Sequence, residues 1–486
     1  MTLAVGALGG VSDATTSTAS RPTGRPTSRS AQAGLSWHRC GGAECATLAV
    51  PLDDTVKGGR MINIALVRIR ARQPSRRLGS LVVNPGGPGA SGVDYVLNAA
   101  AGLPSELLDR FDIVGFDPRG VGGSVPIDCT GNLDSFYALD WAPANAKQRT
   151  KLDAGVKKLV GECERADGSL LPYVSTVRTA RDLDRIRTAL GDQKLTYLGY
   201  SYGTYLGALY ANQFPTRVRA LVLDGPVDPA LDATKVQVQQ AVGFEHSLDL
   251  FLHDCATHPS CAYYSGGRPG RAYDQLRKRI ALSPIPADQA GKGRVLNATL
   301  FDIGVTLVLY QGHAAWSDVA SALAAADKGN GSQLLSFADQ YTGRNSNGTY
   351  DNGEEAFFAI GCADGPPVGN LQHMRVIENL AARAAPRLGR SIVNNSLACA
   401  LWPVAAPPPE PLHAKGAPPI VVLATRNDPA TPLVWGKGLA KQLDSGVLVT
   451  VGGERHTAFA AGNSCVDDAA IKYFVDLTVP ADGTRC

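Results

Sequence analysis

Residues 195–211, LTYLGYSYGTYLGALYA, constrain the fold of this chain more than any other stretch. The run opens on apolar β-formers and passes through Gly199-Tyr200-Ser201-Tyr202-Gly203. It continues into helix formers with small residues at Gly207, Ala208 and Ala211. Strand, tight turn and helix in that order are the setting of a nucleophile elbow. The turn is so sharp that only glycine fits on either side of it without a Cβ clash. It lifts the Ser201 hydroxyl to the top of a sheet and aims the positive end of a helix at it. The competing reading is an ordinary strand-to-helix turn with a capping serine.

The flanking sequence supplies the rest of such a sheet. Strands are expected over residues 61–70, 80–84, 111–116, 219–224, 419–425 and 446–451, with helices over 176–190 and 469–477. The strand at 80–84 runs into Asn84-Pro85-Gly86-Gly87-Pro88-Gly89, which lacks both the Gly-Lys-Ser/Thr ending of a P-loop and the spacing of a dinucleotide fingerprint. In a serine hydrolase such a loop brings a backbone N–H to the nucleophile. Asp117 and Arg119, after the strand at 111–116, read as turn-fixing residues. From about 228 to 417 the alternation of strand and helix breaks down, and that stretch reads as a mainly helical cap or lid. The organisation expected is a signal remnant or disordered leader over 1–34, a core over 35–227, the cap over 228–417 and the rest of the core over 418–486. The leader is rich in Ser, Thr, Pro, Arg and Ala and cannot bury enough apolar surface to order itself.

Composition narrows the function classes. A net charge of +3 over 486 residues gives no footprint for nucleic acid. No apolar run approaches the roughly 20 residues of a membrane-spanning helix. Ten cysteines, an even and high number, point to disulfides and an oxidising compartment, so the protein is expected to be secreted or held in the cell envelope. Their spacing invites neighbour pairing, Cys40–Cys45, Cys129–Cys163, Cys255–Cys261, Cys362–Cys399 and Cys465–Cys486, although sequence leaves connectivity open and free core thiols are the rival. A zinc site at His253, Cys255, His258 and Cys261 is disfavoured by its ligand spacing; no metal or cofactor is expected.

A serine hydroxyl needs a base within hydrogen-bond reach. Of eight histidines, His456 follows the last sheet strand in a glycine-rich loop, the position from which this architecture supplies its base. Asp428 follows the penultimate strand and precedes His456, in the chain order Ser, acid, His; Asp224 and Asp228 are the rival acids. The oxyanion hole would combine the N–H of Tyr202 with one from the Gly86-Gly87 loop, assigned here to Gly87.

These residues together resemble the α/β-hydrolase superfamily and, more narrowly, the secreted tripeptidyl aminopeptidases of actinobacteria, relatives of proline iminopeptidase. The motifs that carry the resemblance run in order: NPGGPGASG at 84–92, GFDPRGVGGS at 115–124, GYSYGTYLG at 199–207, LDGPVDP at 223–229, AIGCADG at 359–365, CALWP at 399–403, RNDPATP at 426–432 and ERHTAF at 454–459. The resemblance implies an α/β-hydrolase fold with a large helical cap and cleavage of a peptide bond a few residues from a free N-terminus, without metal or cofactor. Its triad falls on Ser201, Asp428 and His456, with Thr431 beside the acid. An aminopeptidase must also hold an ammonium, and a buried cation needs a carboxylate. Glu354, Glu355 and Asp364, around the apolar run FFAIGC, are the candidates; solvated surface charge or a turn aspartate is the alternative. An esterase or lipase using the same triad on an acyl ester, or a silent hydrolase-like binding module, are the other functions left open. The partner expected is a peptide or small acyl substrate; oligomeric state stays open.

Overall fold

The computed structural model describes residues 35–486, so the leader expected over 1–34 lies outside the described residues. In chain order the strands are β1 (His38–Cys40), β2 (Ala43–Pro51), β3 (Met61–Ile69), β4 (Gly79–Asn84), β5 (Phe111–Phe116), β6 (Leu195–Tyr200) and β7 (Val218–Asp224), then β8 (Ile285–Pro286), β9 (Val295–Leu296), β10 (Ile420–Thr425), β11 (Gly446–Val451) and β12 (Thr484–Arg485). All but β8 and β9 join one sheet, in the order β1-β2-β3-β5-β4-β6-β7-β10-β11-β12. Pairing is antiparallel from β1 through the β3–β5 contact and parallel from there to β12. Every residue of β4, β5, β6 and β10 is buried, as parallel strands covered on both faces must be. The expected strands are all present, and the expected helix at 176–190 forms over Thr176–Ala189. β1, β2 and the short strand β12 at the far edge have no counterpart among the expected strands.

The crossover that places β4 beside β6 positions the site. Asn84 pairs with Gly199, so the loop after β4 and the turn after β6 leave the sheet side by side. Parallel strands send all their following loops to one edge, and ligands bind there. β7, β10 and β11 add their loops to the same edge.

Between β7 and β10 the chain is mainly helical, interrupted by the β8–β9 hairpin and a helix-free stretch over 401–419. Its apolar residues do not form a separate core: Phe244, Tyr310 and Phe358 join one contiguous cluster with Tyr197 and Leu206 of the sheet layer. A second apolar cluster covers the opposite face of the sheet and includes Tyr200 and Phe459. The segment between β5 and β6 also docks on the insertion: Arg149, on the long helix Ala146–Asp167, pairs with Glu378, and ahead of that helix the Trp141 N–H donates to Thr299 Oγ1 at 3.0 Å. The covering layer is therefore drawn from two insertions.

All five neighbour disulfides are formed. The Cys255–Cys261 bond consumes the two thiols of the alternative zinc set. Arg119 does more than fix a turn. Fully buried, it forks onto Asp182 at 2.8 and 2.9 Å and donates to the carbonyls of Pro51, Leu52 and Tyr173, which bolts three segments together. Asp117 accepts from Ser91 Oγ and from the N–H groups of Val93 and Gly123, fixing the loop after β4.

Candidate active site

Ser201 sits between β6 and the helix Tyr202–Gln213 with φ 54° and ψ −123°, a conformation that a side chain adopts only under constraint. The constraint is visible. The Ser201 N–H donates to the Asp224 carbonyl at 2.8 Å, and its carbonyl accepts from Thr204 N–H at 2.8 Å and from Thr204 Oγ1 at 2.6 Å. The loop after β4 presses on the turn from the other side. Gly86 has φ +97°, and a Cβ there would fall 2.5 Å from the Tyr200 carbonyl and 2.9 Å from Ser201 Cβ. No other residue tolerates that conformation and that approach. Gly87 and Tyr202 thereby line one cavity with Ser201. Neither of their N–H groups donates to another described residue.

His456 and Asp428 are both buried, and Nδ1 of the imidazole lies 2.9 Å from each carboxylate oxygen. A carboxylate only accepts, so the ring proton is on Nδ1 and Nε2 carries a free lone pair. Nε2 is buried and hydrogen-bonds to no described residue. Asp428 is itself held: Oδ1 accepts from the N–H groups of Ala430 and Thr431 at 2.9 Å, and Oδ2 accepts from Thr431 Oγ1 at 3.0 Å. The rival acids are committed elsewhere. Asp228 accepts from Ala230 N–H and Gln442 Nε2, and Asp224 accepts from the N–H groups of Ala458 and Phe459.

The insertion completes the histidine's surroundings. The His456 N–H donates to the Tyr310 carbonyl at 2.9 Å, and the Tyr310 ring meets the imidazole edge-on with centroids 5.3 Å apart. Sequence reading missed Tyr310, which carries no motif and arrives from a helix end more than a hundred residues upstream.

The cavity beside Ser201 has a volume of about 660 Å³. Pro88, Tyr205, Val227, Phe357, Trp402 and Trp435 give it apolar walls, and the segment from Trp402 to Leu412 rims it. Of the three acids proposed for an ammonium, only Asp364 lines it. Its Oδ2 accepts from the N–H and Oγ1 of Thr176, both at 2.6 Å, and Thr176 Oγ1 also meets the Tyr202 hydroxyl. Burial pushes the Asp364 carboxyl up to about 7.

The structure does not bring Glu355 to the cavity. Its Oε1 accepts from the N–H groups of Cys129 and Thr130 at 3.0 Å, a structural commitment that spacing along a helix could not reveal. Glu354 is 4% exposed, off the cavity wall, facing Tyr137 and Tyr341; burial pushes its carboxyl up, and its Oε1 hydrogen-bonds to no described residue.

A strained serine on a strand-to-helix turn, a buried His–Asp pair on later loops of the same sheet edge and a glycine loop alongside define a serine hydrolase of α/β-hydrolase architecture. Comparison with known proteins agrees: residues 79–266 match the family described as alpha/beta hydrolase fold, and residues 385–486 the one described as TAP-like protein. The chain is 38% identical over 467 residues to serine protease Hip1 of Mycobacterium tuberculosis, covering 92% of this chain and 88% of that one. It is 35% identical over 458 residues to carboxylesterase B of the same organism, covering 91% and 86%. With tripeptidyl aminopeptidase of Streptomyces lividans it shares 31% over 482 residues, covering 94% and 87%. The chain belongs to the α/β-hydrolase family that contains serine protease Hip1 and the tripeptidyl aminopeptidases.

Proposed function

We propose that this protein is a serine exopeptidase that cleaves a peptide bond near a free N-terminus, working outside the cytoplasm. Ser201 is the nucleophile, His456 the base, Asp428 the acid that orients it, and the N–H groups of Gly87 and Tyr202 the oxyanion hole. The observation that carries the reading is the His456–Asp428 pair, which turns a buried Nε2 with no described hydrogen-bond partner to the sheet edge that also presents Ser201. Relatives named as a serine protease and as a tripeptidyl aminopeptidase support the peptide substrate. Five disulfides support the oxidising compartment. Residues 35–227 and 418–486 are taken as the hydrolase core and 228–417 as its cap.

In this mechanism Nε2 of His456 takes the Ser201 proton as Oγ bonds to the substrate carbonyl carbon. The carbonyl oxygen becomes an oxyanion facing the Gly87 and Tyr202 amides, each worth about 3 kcal/mol in the transition state. The imidazolium, stabilised by Asp428, gives its proton to the leaving amine as the C–N bond breaks. Water then attacks the acyl-enzyme, with His456 again taking the proton, and the imidazolium returns it to Ser201 Oγ as the ester C–O bond breaks and the acid product leaves. Asp364 receives the substrate ammonium: it is the one of the three candidate acids that lines the cavity, and an arriving cation offsets the cost of ionising it.

A second reading, an esterase using the same triad, is favoured by the relative named carboxylesterase B. One experiment separates them. Aminoacyl, dipeptidyl and tripeptidyl chromogenic amides, their N-blocked forms and a short-chain acyl ester are offered to the wild type and to Ser201→Ala. Turnover of free-N-terminal amides that vanishes in Ser201→Ala upholds the peptidase; turnover of the ester alone overturns it.

A further inference from the structure

Asp224, at the end of β7, is fully buried and carries no role in the mechanism above. Beyond the strand ladder, its hydrogen bonds go to the turn and the loop that present Ser201 and His456. Its main-chain carbonyl accepts the Ser201 N–H at 2.8 Å. Its carboxylate accepts the Ala458 N–H on both oxygens, at 3.0 and 2.8 Å, and the Phe459 N–H at 2.8 Å. Those two amides lie just beyond His456, across Thr457, whose φ is +65°. A threonine holds that conformation only where its neighbours are pinned. The next residue, Gly225, has φ +68°, and a Cβ there would stand 2.8 Å from His456 Cε1.

We propose that Asp224 is a positioning residue: its main-chain carbonyl fixes the nucleophile turn and its carboxylate fixes the histidine loop, so that one residue sets Ser201 and His456 in register. This rests on the assignment of Ser201, Asp428 and His456 made above. Burial raises the Asp224 carboxyl to about 6, so above that pH it places a second negative charge near the imidazole that becomes positive in the reaction, in addition to Asp428. The charged and titratable groups that face Asp224 are His456, Asp428, Arg455, Tyr95 and Tyr200. Arg455 is the one permanent cation among them and forms no ion pair with it among the described residues.

The test is Asp224→Asn. The Ala458 and Phe459 amides share Oδ2 at 2.8 Å, so the amide oxygen can keep both bonds, but the N–H₂ that replaces Oδ1 then stands 3.0 Å from the Ala458 N–H, donor against donor, and pushes the histidine loop off its seat. A misplacement of about 1 Å in a reacting group costs on the order of 100-fold in rate. The expected result is a kcat lower by about 100-fold with KM within about twofold, and an acid limb of the kcat profile moved to lower pH because a negative charge near the imidazole is gone. Labelling of Ser201 by a fluorophosphonate should slow in parallel. A wild-type kcat and an unmoved acid limb in folded Asp224→Asn would overturn the proposal, as would a rise in KM matching the fall in kcat. Hydrogen exchange on the wild-type protein supplies a readout free of any folding defect: the Ala458 and Phe459 amides should exchange slowly, and rapid exchange would equally overturn it. The parent reading fails separately, if Ser201→Ala keeps full activity or wild-type Ser201 resists the fluorophosphonate.

Discussion

Thr431 Oγ1 donates at 3.0 Å to Asp428 Oδ2, the same oxygen that lies 2.9 Å from His456 Nδ1. The hydroxyl stands 3.4 Å from Nδ1 as well, so one threonine braces the carboxylate against the ring. Thr431→Val keeps the shape and removes the donor, leaving Oδ2 with the imidazole alone. We expect kcat to fall about tenfold, the worth of one buried hydrogen bond to a charged group, with KM unchanged. Thr431→Ser should restore the rate; steady-state kinetics on both variants checks this.

Asp364 binds a cation only when ionised, and burial holds its carboxyl near 7. The KM for peptides with a free N-terminus should therefore fall as pH rises through about 7, while the KM for a blocked ester stays flat. Asp364→Asn should raise the first and spare the second. A flat KM in the wild type across that pH would place the ammonium on another carboxylate of the cavity, with Glu410 and Asp228 the next to test.

Glu355 predicts a pH effect on stability instead. Burial raises its folded carboxyl to about 7, from about 4.5 unfolded. The folded state thus holds the proton more tightly, and the stabilisation is complete below pH 4.5 and lost as pH rises through 7. Both backbone bonds fall on one oxygen, so Glu355→Gln can keep them without the charge. Thermal melts above pH 7 should find this variant at least as stable as the wild type and Glu355→Ala destabilised, by about 1–3 kcal/mol for each buried amide left unpaired. Neither should alter KM.

The Cys362–Cys399 bond spans 37 residues, and both cysteines line the cavity beside Ser201. On the chain-entropy account, opening it costs about 4 kcal/mol, against about 2 for the five-residue span of Cys40–Cys45. The double serine variant at 362 and 399 should melt lower than the one at 40 and 45. It alone should raise KM, because it frees two walls of the cavity.

The sequence carried the strands, the elbow and the Ser, Asp, His order because each is written locally. Apolar runs with glycine turns announce buried parallel strands, and the triad members sit directly after them. Asp428 could be chosen over Asp224 and Asp228 by position in the chain, and the structure shows all three carboxylates committed to different partners. The acids near the cavity could not be ranked the same way. Glu354, Glu355 and Asp364 lie on one helix, and only the packing of that helix against β5's following loop and Thr176 decided which of them faces the cavity.

What the chain alone determined, then, is the chemistry that a run of neighbouring residues can encode: a serine on a strained turn, a histidine and an aspartate on later loops, cysteines close enough to pair. Tertiary structure decided the rest. Tyr310 reaches the histidine, Arg119 bolts distant segments and Asp224 holds both Ser201 and the loop after His456. These contacts join residues far apart in the chain. Their strength comes from burial, which makes an unpaired polar group costly and a paired one a fixed point. No local pattern of residues records that.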